Sequence, residues 1–203
     1  KQATIDERAQ QAQIKVEEIF DSFYLNADAQ TPDHINHVSC THYQSPSAAQ
    51  KLLTKRKDLS NTIVTHLYHM GCYAALPAVR VAKSYVSDGA RLVDNVHTEL
   101  CSFHLDKYNL SAEQTIMNTL FADGAIKYSV TDESYFNQQS CDGLEVLSHR
   151  EEIVPNSADE MTWKLGQFGF MMRLTKKVPV MLARSIESFL YKLFIHQIEK
   201  PSK

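Results

Sequence analysis

Hydrophobic positions along this chain alternate between a period near 3.6 and a period near 2, which predicts a layered α/β fold with a largely central sheet. Ala9, Ala12, Val16, Ile19, Phe20 and Phe23 recur at spacings of three and four with Glu and Lys between them, an opening amphipathic helix. Residues 26–32 read as a loop and 35–41 as a short strand. Ser45-Pro46-Ser47 offers a capping serine and a proline tolerated in a first turn, so a second helix is expected from there. Its C-terminal end is the basic run Lys55-Arg56-Lys57, expected to be solvated and to suit the helix dipole. Residues 62–69, rich in β-branched and aromatic side chains, read as a strand, and Gly71-Cys72 as a turn. A helix over 73–86 would put Ala75, Val79, Ala82 and Val86 on one face and stop at Gly89. A strand over 91–99, interrupted by Asp94 and Asn95, a helix over 111–120, a turn at Asp123-Gly124 and a strand over 125–130 follow.

The polar stretch 131–143 is the best boundary in the chain. Beyond it, residues 144–154 and 168–175 read as strands around a polar connection. A last helix starts near Val178-Pro179 and is expected to carry Leu182, Ile186, Phe189, Leu190 and Leu193 inward. It closes on a short polar tail, 199–203, and neither end of the chain reads as a natural domain edge.

Composition narrows the function classes. The 203 residues are 43% hydrophobic and 22% charged, an ordinary globular mixture, and the net charge of -3 gives no reason to expect nucleic acid or an anionic membrane as partner. No apolar run approaches the roughly 20 residues of a membrane span, and the N-terminus lacks the order of a signal peptide. Cys40, Cys72, Cys101 and Cys141 are widely spaced, without a CxxC pair. They read as free thiols in a reducing compartment, so a cytoplasmic location is the default expectation.

Cys72 is the residue with the strongest chemical context. It sits between a predicted strand and a predicted helix, with a glycine before it. The helix start favours a thiolate, the glycine permits a sharp turn and close substrate approach, and the N–H of Cys72 itself suits an oxyanion. A buried structural cysteine is the competing account. The other three cysteines lie at no such junction. The histidine pairs His34/His37 and His66/His69 invite a metal reading, but positions three apart on a strand face opposite ways, and no metal or bound cofactor is expected.

Tyr68-His69-Met70-Gly71-Cys72-Tyr73-Ala74-Ala75, running on to Val79-Arg80-Val81-Ala82-Lys83, resembles the nucleophile segment of the chalcone synthase-like enzymes, the type III polyketide synthases. Ile35-Asn36-His37-Val38-Ser39-Cys40-Thr41, Leu120-Phe121-Ala122-Asp123-Gly124-Ala125, Ile153-Val154-Pro155-Asn156-Ser157 and Lys177-Val178-Pro179 resemble further landmarks of that family in the right order. The resemblance implies a thiolase-like αβαβα layered architecture, incomplete in this chain. Residues 1–140 would be part of the N-terminal half with the nucleophile, and 141–203 the start of the C-terminal half. It also implies that Cys72 takes an acyl group from a coenzyme A or carrier-protein thioester and condenses it with a malonyl-type extender. Phe121 would be the aromatic gatekeeper, and His42, Tyr43 and His104 would line the pocket. These thioesters would be substrates rather than cofactors, and the intact enzyme a homodimer.

Two departures qualify that picture. The family's catalytic histidine and asparagine lie downstream, in segments resembling HPGG and a GN-containing turn, and neither segment occurs here. The chain therefore matches the middle of such an enzyme, and the remaining segments or a second subunit would complete it. Trp163 falls where the family usually has a cavity-lining glycine and Met172 where an aromatic residue is common, so one or few condensations are expected. A half-buried surface aromatic is the alternative for Trp163. Two other readings of the whole chain compete: a non-catalytic ketosynthase-like partner or acyl-binding subunit, and a ketoacyl carrier-protein synthase III-like enzyme.

Overall fold

The computed structural model describes residues 3–25, 30–106, 108–166 and 169–198; parts of the predicted loop 26–32, Phe168 and the tail 199–203 lie outside them. Helix α1 (Ile5–Tyr24) begins with a capping box, Thr4 and Glu7 each closing on the other's backbone N–H. Its buried stripe, Ala12, Val16, Phe20 and Tyr24, repeats every four residues and lies in one cluster with Ile35, Ala48, Ala49, Leu52 and Val96.

Strands β1 (His34–Ser39), β2 (Ile63–Tyr68), β3 (Val93–Glu99) and β4 (Gly124–Val130) form one sheet in the order β2-β1-β3-β4. The first three run parallel, and β4 runs antiparallel to β3. Helices α2 (Ala48–Lys55) and α3 (Ala75–Ser87) make the two parallel crossovers. His37 of β1 meets the Phe20 ring of α1, while Val38, one residue on and so on the opposite face, packs with Ala74 and Ala78. Helices thus cover both faces, which is why β1 and β3 are buried almost throughout.

Buried polar residues explain how Asp94 and Asn95 fit in a central strand. Asp94 accepts hydrogen bonds from Tyr24 Oη (2.7 Å) and Ser129 Oγ (2.6 Å), with Lys127 Nζ at 3.7 Å. Burial and the Asp94 charge push the Tyr24 phenol far above its usual range. Asn36 donates to Asn95 across the β1–β3 register at 2.8 Å.

Several expectations are corrected. Pro46 precedes the cap of α2 instead of entering its first turn; Ser47 is the cap and shares a capping box with Gln50. Of the basic run, Lys55 and Lys57 are exposed at the C-terminal end of α2, as expected, and Lys55 and Arg56 also make ion pairs. Lys51 pairs with Glu17 (2.6 Å) and Lys55 with Asp21 (3.0 Å), while Arg56 bonds Asp58 and the Tyr24 carbonyl, so these contacts fasten α2 to α1. Ala74 just before α3 and Ala78 and Ala82 on it are buried; of the face expected, Ala82 is buried, Val79 and Val86 are half-buried and Ala75 is exposed. Alanine is the smallest apolar side chain, and three at a four-residue spacing let α3 approach the sheet closely. Asp88 and Gly89 (φ 103°) close α3, with the N–H groups of Gly89 and Ala90 bonded to the carbonyls of Val86 and Tyr85. Helix α4 (Ala112–Leu120), capped by Ser111, follows the predicted span.

Past helix α5 (Glu133–Phe136) the chain enters a second compact unit, residues 140–165 and 171–198, the short piece 166–170 belonging to the first unit. The predicted strand over 144–154 does not form; this stretch finds no ladder partner among the described residues. Strand β5 (Met161–Leu165), inside the segment expected to be a polar connection, pairs instead with β6 (Phe170–Leu174). Helix α6 (Lys177–Ile198) forms, yet Leu182, Ile186 and Leu190 are exposed and Phe189 and Leu193 only half-buried, contrary to the inward face expected. Among the described residues no helix is long and apolar enough to cross a membrane.

Candidate active site

The parallel register brings together residues that are far apart in sequence. His34 pairs with Val93 in β3, an offset of 59 residues, and the same offset sets Cys40, just past β1, level with Glu99 at the end of β3. β2 ends at Tyr68, and the N–H of His69 bonds the Ser39 carbonyl (3.0 Å). His69 (φ 56°) and Gly71 (φ 80°) then take left-handed backbone conformations that reverse the chain. For His69 that conformation is uncommon; for Gly71 it is open because no Cβ is present. Cys72 follows as the first residue of a short 3₁₀ turn, Cys72–Ala74, which leads straight into α3. Cys40, Cys72 and Glu99 therefore meet at the carboxyl ends of three parallel strands, where ligands bind in open α/β sheets.

Glu99 organises this end of the sheet. Its carboxylate accepts the backbone N–H of Cys40 (3.1 Å) and of Thr41 (3.1 Å), and the Thr41 hydroxyl (2.6 Å). The Cys40 thiol lies 3.7 Å from the same oxygen. The Thr41 Oγ1 in turn accepts the N–H of Leu100 (2.8 Å).

The two thiols are strongly differentiated. Cys72 is exposed and Cys40 buried. The Cys40 side chain lowers the Cys72 thiol to about 6, against the opposing effects of burial and the Glu99 charge; its own backbone N–H assists. The Cys72 side chain, burial and Glu99 push Cys40 far upward. Cys101, half-buried on the turn after β3, is raised to about 11, first by burial and then by Glu99, Asp123 and Cys72. Cys72 is thus the thiol of the three shifted toward the thiolate, and Cys40 and Cys101 are shifted away from it. An exposed thiolate at a helix start is a nucleophile toward a thioester carbonyl.

The remaining predicted site residues are distributed unevenly. Tyr43, 38% exposed, stacks on Tyr68 with ring centroids 5.1 Å apart and also meets His69 and Phe170, forming an aromatic surface. His42 is buried toward α1, its Nε2 at 3.2 Å from Gln13 Oε1 and its ring edge against Phe103. His104 has both ring nitrogens occupied. Nε2 reaches the Thr41 carbonyl at 2.5 Å, and Nδ1 accepts the Phe170 N–H at 2.9 Å. These partners require the neutral Nε2–H tautomer, and burial lowers the ring to about 4. His104 therefore has no nitrogen left for proton transfer. Gly169 (φ 143°) passes so close that a Cβ there would lie 2.8 Å from His104 Nδ1. Phe121 is half-buried at the C-cap of α4. Trp163 and Met172 are half-buried on β5 and β6 of the second unit. Reasoning from sequence passed over Cys40 and Glu99, which only the β1–β3 pairing brings level.

No protein-family profile matches the chain. Probable polyketide synthase 1 of Dictyostelium discoideum is 28% identical over 160 residues, which is 77% of this chain and 5% of that protein. Polyketide synthase 37 of the same organism is 26% identical over 157 residues, 76% of this chain and again 5% of the relative. 1,3,6,8-Tetrahydroxynaphthalene synthase of Streptomyces griseus is 24% identical over 174 residues, 83% of this chain and 45% of that protein. The chain thus spans a small part of the first two curated relatives and about half of the third. Among solved structures, 1,3,6,8-tetrahydroxynaphthalene synthase of Streptomyces coelicolor A3(2), a bacterial type III polyketide synthase, superposes with a TM-score of 0.76 at 21% identity, over 97% of this chain and 56% of that one. PKS-I of the brown alga Ectocarpus siliculosus gives the same score and identity over 94% and 53%. These structures share the fold.

Proposed function

We propose that this chain, which matches the chalcone synthase-like family and has its thiolase-like fold, supplies the acyl-accepting half-site of a polyketide-forming acyltransferase. The observation that carries this reading is the exposed Cys72 at a strand–helix turn on the carboxyl edge of the parallel strands. Its thiolate attacks the carbonyl carbon of a coenzyme A or carrier-protein thioester. The C–S bond to the carrier breaks, the carrier leaves as its thiolate and takes a proton from water, and the acyl group remains on Cys72. The N–H groups at the start of the helix favour the oxyanion formed on the way. Condensation then needs loss of carbon dioxide from a malonyl-type extender and attack of the resulting enolate on the Cys72 thioester. That step calls for two positioned donors, which belong in this reading to a segment outside the sequence given or to a second subunit. A homodimer is part of the same proposal.

Intact-mass and peptide mass spectrometry of the whole protein after incubation with acyl-coenzyme A tests this. An acyl adduct on Cys72, absent in Cys72→Ser, is expected. No adduct on the wild type overturns the reading in favour of a non-catalytic ketosynthase-like or acyl-binding subunit. Trp163 and Met172 are proposed to restrict chain length, on the strength of the resemblance alone. Trp163→Gly should then lengthen the products, and an unchanged product length would refute it.

A further inference from the structure

We infer that Phe170 is a positioning residue for the nucleophile: held by a main-chain hydrogen bond to His104, it packs its ring on the His69 ring and keeps the left-handed turn that presents Cys72. The consequence for acyl transfer rests on the proposed function, while the contact itself is tested without any acyl substrate.

The turn before Cys72 needs a support. His69 has φ 56°, a conformation that costs a residue with a Cβ roughly tenfold in population. Its N–H is bonded to the Ser39 carbonyl at 3.0 Å, which anchors the end of β2 but not the reversal that follows. The residue is exposed, so no core closes over it. Its ring instead meets Phe170, with centroids 4.7 Å apart, and the edge of Tyr43 at 6.1 Å. Each such aromatic pair favours its arrangement by a few-fold to about tenfold, which matches the size of the backbone cost. Cys72 lies three residues on, within about 11 Å of His69 along the chain, so this turn decides where the thiol is presented.

Phe170 reaches His69 because His104 offers an acceptor. The Nε2–H of His104 donates to the Thr41 carbonyl, which leaves the Nδ1 lone pair for the Phe170 N–H at 2.9 Å. The His104 and Phe170 rings also lie 5.2 Å apart. The main chain comes this near only because residue 169 is a glycine. A Cβ there would stand 2.8 Å from Nδ1, and its φ of 143° is itself a glycine conformation. Thr41, His104, Phe170 and His69 thus form one series of contacts from the end of β1 to the turn before Cys72.

The test is hydrogen–deuterium exchange of the intact protein, read by mass spectrometry on the peptide spanning residues 66–76, with a peptide of β3 as reference. Phe170→Ala should speed exchange in the turn peptide roughly tenfold and leave β3 unchanged. Phe170→Tyr, which keeps the ring, should exchange as wild type does. Gly169→Ala, which spares the Phe170 side chain but crowds Nδ1, should act in the same direction as Phe170→Ala. In His69→Gly the left-handed turn needs no ring to hold it, so adding Phe170→Ala should change nothing further. Unchanged exchange in Phe170→Ala, equal acceleration in β3, no rescue by tyrosine, or a full Phe170→Ala effect in the His69→Gly background overturns the inference. A missing acyl adduct together with the expected exchange pattern would refute the proposed function and leave the Phe170 assignment standing. An acyl adduct with unchanged exchange would do the reverse.

Discussion

The two compact units of this chain treat their apolar side chains in opposite ways. In the first, residues 3–139 and 166–170, Tyr24, Phe20, Ile35, Leu52 and Leu59 are all but inaccessible to water. In the second, no described residue is fully buried, and Leu144 and Ile153 are 99% and 90% exposed. Both segments have comparable apolar content to the eye, but only the first has a sheet with helices on both faces to bury it against. The lesson is that Cys72 lies in the unit with a buried core, while the predicted pocket residues Trp163 and Met172 sit on a two-stranded sheet, which is marginal alone.

That contrast can be tested by perturbing each side. The largest expected effect comes from acid. His37, His66, His97, His42 and His104 lie in the first unit with pKa values lowered chiefly by burial, His37 to about 3 and His104 to about 4. A depressed folded value means that the unfolded chain binds more protons, so their stabilising effect is whole above about pH 6.5 and is lost as pH falls toward 4. His37 and His104 alone should remove about 4 kcal/mol between neutral pH and pH 5. Urea midpoints followed by circular dichroism should fall steeply over that range, and a flat profile would contradict buried neutral rings. Next, Asp94→Ala should cost about 2 kcal/mol, chiefly by leaving the buried Tyr24 hydroxyl without its acceptor. Glu17→Ala, which breaks the partly exposed pair with Lys51 between α1 and α2, should cost about 1 kcal/mol or less. Ile153→Ser in the second unit should stay within about 0.5 kcal/mol, because that side chain gives up almost no buried surface. A loss of more than about 1 kcal/mol at Ile153 would break the contrast between the units.

Much of the first unit was readable from its periodicities. α1, β1, β2, α4 and β4 lie where apolar spacing and caps place them. The inner face of α3 was legible in part: Ala82 is buried as expected, while the contact at its start runs through Ala74 and Ala78, and alanine is a weak apolar signal. Residues 144–154 carry a strand-like pattern, but a strand also needs a ladder partner, and pattern alone does not supply one. In the site, Cys72 was legible because its turn and helix are local. Cys40 and Glu99 were not, since an offset of 59 residues between them is a property of the β1–β3 pairing and of nothing nearby in sequence. The partners of His104 were not legible either: both its ring nitrogens are engaged by backbone groups distant in sequence.

The Glu99 cradle has a consequence for how this protein can vary. Two main-chain N–H groups point at one carboxylate, so the amide of a Gln there would place its own N–H₂ against donors unless it turned, and then one of them would go unmet. Asp would fall short by a methylene. Residues 99 and 41 therefore behave as one heritable character, an acid with a β-hydroxyl beside it. In any lineage that keeps the thiol at position 40, drift at either of the two should be accompanied by change at the other.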